Sequence, residues 1–181
     1  RINITSSNYI DLFSFDTGSG GSVLKGIELS NYGPSAITIS ATDNGITLQD
    51  NYIHSRNNGV GAEYGIKITG TGDNHVIKNN ILEGGNSAIA YTTSGSTNNK
   101  IYFNTITADS ATSDQAIDYA GNNGYLYFNN IDGGSVYGTG INVASGSNNV
   151  EIAGNVVHHT TGVGIKLLDT SNTYLTDNTI F

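Results

Sequence analysis

The stretch "GIKLLDTSNTYLTDNTIF", Gly164 to Phe181, holds two phrases, and each of them returns along the chain. The later phrase is an aliphatic residue, two others, Asn, one other and a second aliphatic residue. It reads Leu175/Asn178/Ile180 here, and earlier Leu48/Asn51/Ile53, Ile77/Asn80/Leu82, Ile101/Asn104/Ile106, Leu126/Asn129/Ile131 and Ile152/Asn155/Val157. The first phrase is a small residue followed by two large apolar residues spaced by one. Gly164-Ile165-Lys166-Leu167 has counterparts in Ala36-Ile37-Thr38-Ile39, Gly65-Ile66-Lys67-Ile68, Ala88-Ile89-Ala90-Tyr91, Ala116-Ile117-Asp118-Tyr119 and Gly140-Ile141-Asn142-Val143. Apolar residues at every second position mark a strand. The spacing of successive copies, roughly 23 to 29 residues, lies in the range of stacked repeat units.

One coil of this size cannot bury its own apolar residues, but a stack of coils places like on like. Aliphatic residues then form ladders inside the stack. The recurring Asn residues (Asn51, Asn80, Asn104, Asn129, Asn155 and Asn178) are expected at a tight bend. Their short amides tolerate left-handed backbone angles and can bond the next coil, giving an asparagine ladder. Gly70-Thr71-Gly72-Asp73-Asn74 and Ser145-Gly146-Ser147-Asn148-Asn149 supply a second corner. The third corner varies in length, which is where function usually sits.

Composition agrees. The chain has 181 residues with 24 Gly, Asn about as frequent, and a single Pro, a balance that favours short strands and turns over helices. A formal charge of -8 and only Arg1 and Arg56 as guanidinium groups argue against a nucleic-acid partner. No apolar run approaches about 18 residues, so membrane insertion is not expected. With no Cys there is neither a disulfide framework nor a thiolate metal site, although a stacked repeat fold can be secreted without such staples.

On these repeats the sequence resembles the right-handed parallel β-helix family, the pectate-lyase-like and parallel-β-helix-repeat proteins. The resemblance implies an all-β solenoid of about seven coils, with residues 1–35 as an irregular first coil or coils and 36–181 as regular ones. Ile2-Asn3-Ile4 resembles a further inner strand, and Val23 to Asn31 a turn-bounded one. The family hosts lyases, hydrolases, epimerases, adhesins and inert spacers. The expected role is a rigid structural segment of an extracellular or cell-surface protein, contacting carbohydrate and stacking end to end. The alternative is a polysaccharide lyase.

For the lyase, Lys67 with Arg56, His54 and Asp118 is the candidate catalytic set, since proton abstraction from a uronate needs a base and a cation. The outward residues Thr38, Lys67, Ala90, Asp118, Asn142 and Lys166 are expected one per coil, forming a shallow groove. Tyr64, Tyr137 and Asn142 are its candidate sugar contacts, with Tyr52, Tyr102 and Tyr127 as further aromatic platforms. Asp109, Asp114, Asp118 and Asp132 could pair as glycosidase carboxylates. The Asn-Thr-Asp, Asp-Asp, Gly-His-Gly and Arg-Ile-Lys signatures of polygalacturonases are absent from the sequence. No cofactor or metal site is expected beyond weak surface Ca²⁺ at Asp169 or Asp177, because extended His158 and His159 would point apart.

A solenoid leaves its first and last coils with unpaired edges. Three arrangements answer this: a longer solenoid of which this chain is a piece, head-to-tail stacking of copies, or a cap in which residues 5–22, with Leu12, Phe13 and Phe15, fold over one end.

Overall fold

The computed structural model describes residues 1–6, 8, 10–54, 64–108 and 115–181. These residues form short strands and no helix, arranged in three parallel sheets through which the chain passes in strict rotation. One sheet takes the five-residue strands Ser35–Ile39, Tyr64–Ile68, Ser87–Tyr91, Gln115–Tyr119, Thr139–Val143 and Val163–Leu167, with Phe13–Phe15 at its edge; we call it the long sheet. The second, the aromatic sheet, runs from Val23–Lys25 through Lys100–Tyr102 and Tyr125–Tyr127 to Tyr174–Thr176. The third, the ladder sheet, begins at Ile2–Thr5 and ends at Thr179–Ile180. The result is a parallel β-solenoid of about seven coils.

Cross-coil register places like on like. Leu48, Ile77, Ile101, Leu126 and Ile152 stack in the aromatic sheet, and Leu29, Ile53, Leu82, Ile106, Ile131 and Val157 in the ladder sheet. All are buried. Ile37, Ile66, Ile89, Ile117 and Ile141 fill the third side. Each such side chain stabilises by roughly 1.5–3 kcal/mol, so these columns hold the stack together. The small residue before them answers to close approach: a Cβ on Gly140 would lie 2.3 Å from Val157 Cγ1 and 2.6 Å from Gly164 O.

The asparagine ladder closes the corner between the aromatic and ladder sheets. The side-chain amide of Asn80 donates to Asn104 Oδ1 at 3.0 Å and to Leu48 O at 3.0 Å, and the contact repeats through Asn129, Asn155 and Asn178. Each Oδ1 also accepts the backbone N–H of the preceding ladder Asn. The expected backbone role is corrected, however. The left-handed residue is the one before each ladder Asn: Asp50, Asn79, Phe103, Phe128, Gly154 and Asp177, with φ between 52° and 64°. The ladder side chain is recruited for its hydrogen bonds, and its neighbour makes the bend.

The first coils differ from expectation in one respect. Val23 to Asn31 is two strands, Val23–Lys25 and Ile27–Ser30, broken by a corner at Gly26 (φ 71°). Leu24, Ile27 and Leu29 thus follow the repeat with Ile27 in the Asn place, and the Ile27 N–H donates to Asn51 Oδ1 at 3.2 Å. The ladder therefore starts at Asn51. Phe13–Phe15 pairs with Ile37–Ile39, and Leu12, Phe13 and Phe15 pack on the core as part of a coil instead of folding over an end.

Candidate functional site

Two coils of the aromatic sheet carry a shelf of rings. Lys100–Tyr102 and Tyr125–Tyr127 are paired in register, so Tyr102 lies beside Tyr127 and Lys100 beside Tyr125 on the outer face. The next residue of each coil is a left-handed Phe. Phe103 and Phe128 stack at 5.3 Å with 14° between ring planes, and both are 54% exposed. Tyr102 meets Phe103 edge-on at 5.5 Å, and Tyr125 meets Tyr127 at 5.7 Å. Lys78 and Lys100 approach the Tyr102 and Tyr125 rings at 5.9 and 5.8 Å. With Asn74, Asn98 and Lys100, the Tyr and Phe rings line a concavity of about 610 Å³. Partial burial, and next a hydrogen bond to Glu151, push the Tyr127 phenol well above its usual range, so it stays a neutral hydrogen-bonding group.

The two Phe residues break a local rule. Every other coil puts Gly, Asp or Asn at this bend, residues that accept a left-handed backbone at low cost. A bulky side chain there costs on the order of 1–3 kcal/mol each, and the three ring contacts of the pair, Phe103 on Phe128, Tyr102 on Phe103 and Tyr127 on Phe128, return about 0.5–1.5 kcal/mol each. Phe128 is accommodated only because its ring lies over Gly154, where a Cβ would come within 2.4 Å of the ring.

Among protein-family models, the one described as right handed beta helix region matches residues 2–180. The chain belongs to the right-handed β-helix family. No curated protein matches it.

Elsewhere on this right-handed β-helix, the outward column of the long sheet is in the expected order, with Thr38, Lys67, Ala90, Asp118, Asn142 and Lys166 in cross-coil register. It does not bring the candidate catalytic residues together. Lys67 lies over the Tyr64 ring at 4.8 Å, Asp118 accepts a 2.8 Å hydrogen bond from Asn142 Nδ2, and buried Ala90 separates the two. His54 belongs to the ladder sheet, where it stacks on Tyr52 at 4.6 Å and approaches Glu28 at 3.3 Å. Arg56, Asp109 and Asp114 lie outside the described residues.

Two expectations are corrected here. Tyr137 is fully buried in the core, with its hydroxyl donating towards Gly84 O at 3.3 Å, and so offers no face to a sugar. His158 and His159 do not point apart. His159 is left-handed (φ 53°), which turns its ring back to 4.8 Å from that of His158, and Asp132 of the preceding coil joins them. The Asp132 carboxyl is held below the usual carboxylate range, first by the Gly134 N–H and further by the two His residues. Asp169 and Asp177 both serve as left-handed corner residues.

The platform Tyr102 and Tyr127 were legible from sequence, but Phe103, Phe128 and Tyr125 were not. The missed signal is positional: comparing the residue before each ladder Asn across coils leaves two Phe residues among Gly, Asp and Asn.

Proposed function

We propose that this β-helix is a rigid structural segment of an extracellular or cell-surface protein that holds carbohydrate chains against its aromatic sheet. The observation that carries this reading is the exposed Phe103–Phe128 stack, kept at left-handed positions where the fold favours Gly, Asp or Asn. Aromatic faces with nearby hydrogen-bonding groups suit the apolar faces and hydroxyls of sugar rings. Lys78 and Lys100, in a chain of net charge -8, add local attraction for carboxylate-bearing sugars. Contact rather than cleavage is the reading because Lys67, His54 and Asp118 are each held by separate partners. Affinity electrophoresis through gels containing neutral or uronate polysaccharides tests it. Retardation by at least one uronate polymer, reduced in Tyr125→Ala, is expected; unchanged mobility in every gel would overturn the reading.

A further inference from the structure

At the ladder-sheet end of the variable corner, three ligand-type atoms from two adjacent coils converge. His159 Nδ1 lies 3.0 Å from Asp132 Oδ1 and 3.1 Å from His158 Nδ1, and His158 Nδ1 lies 3.6 Å from the same carboxylate oxygen. A single proton serves this triangle poorly: the one hydrogen on a His159 Nδ1 is either given to Asp132 or shared between Asp132 and His158, and if it is absent a lone pair faces the carboxylate. A cation at the centre satisfies all three atoms at once. The triangle's circumradius, about 1.9 Å from those three sides, is shorter than the 2.0–2.1 Å of typical zinc–nitrogen and zinc–oxygen bonds. A point just above its plane therefore stands at bonding distance from all three.

The side chains are held for this geometry by the fold. Asp132 and His158 are register partners in neighbouring strands. Gly134 N–H donates to Asp132 at 3.0 Å, Phe181 stacks on the His158 ring at 5.3 Å and 9°, and Ser135 N–H fixes the His159 carbonyl at 2.7 Å. We propose that Asp132, His158 and His159 form a binding site for a divalent transition-metal ion of the zinc class. Two imidazoles and one carboxylate suit zinc, nickel, cobalt or copper, whereas calcium and magnesium take oxygen ligands. The His159 side chain is 60% exposed, so the remaining coordination positions face solvent and accept water or a ligand group. Binding ties the last coils of the solenoid together.

Calorimetric titration of the untagged chain with zinc chloride, paired with thermal melts, tests the site. One equivalent bound and a raised melting temperature are expected, with no such rise from calcium or magnesium. His159→Asn keeps a residue suited to the left-handed bend and removes the ligand, and Asp132→Asn keeps the shape of the carboxylate; each should weaken binding at least about tenfold. His54→Ala should leave it unchanged. Absence of zinc binding at millimolar metal overturns the proposal, as does binding lost in His54→Ala and retained in His159→Asn.

Discussion

Two neighbouring columns of the same corner obey different rules. The ladder column, Asn51 to Asn178, points inward and is chemically uniform, because each amide must bond the coil on either side and no other side chain has that donor and acceptor pair at that length. The column one residue earlier points outward and varies through Asp, Asn, Phe, Phe, Gly and Asp, sharing only its left-handed backbone. Inside, the stack dictates identity. Outside, it dictates conformation alone and leaves chemistry free, so a residue that strains that conformation has another reason to be there.

The largest test of this contrast is Asn104→Ala. It strands the Asn80 N–H and amide donors and removes the bonds to Ile77 O and Asn129, and should cost about 3 kcal/mol in chemical unfolding. Asn178→Ala, at the partly exposed end of the ladder, should cost only about 1 kcal/mol. Equal losses would show that the ladder does not act through burial. Gly154→Ala attacks the outer column instead: the Cβ collides with the Phe128 ring and the left-handed backbone is strained, so about 1–2 kcal/mol should be lost together with the packing of the shelf. Retained ring-proton shifts of Phe128 by NMR would contradict that placement.

A smaller effect concerns the opposite corner, where His75 is buried with its Nδ1 accepting from Ile46 N–H at 3.3 Å. Burial lowers its pKa, so the unfolded chain takes up the proton first as pH falls below about 6.5. Stability is complete above that value and declines below it, by up to about 1.4 kcal/mol per pH unit. Thermal melts between about pH 7 and 5 should show the decline in the native chain and a flatter limb in His75→Asn.

Most of the architecture was legible because the interior repeats it: the Asn and aliphatic positions recur at fixed offsets, and each strand's apolar alternation names its inner face. The first coil was harder because Ile27 stands where the other coils have Asn, and Gly26 makes a corner that reads as a continuous strand. The candidate site was only partly legible. Tyr137 reads as a surface aromatic until its coil is placed, since period two does not say which loop residues fold inward. Phe103 and Phe128 read as part of the repeat phrase, and it is their left-handed angles and exposure in the structure that distinguish them from packing residues. The Asp132, His158 and His159 group depends on a cross-coil register of 26 residues, which the variable third corner hides from any fixed-spacing motif.

The most direct test of the shelf pairs stability with binding in the double variant Phe103→Asn, Phe128→Asn. Asn relieves the left-handed strain and removes both stacked rings, so unfolding stability should stay the same or rise by up to about 1 kcal/mol while retardation by polysaccharide is lost. A variant that binds as well as the native chain but is clearly less stable would make the Phe pair a structural feature and contradict the account.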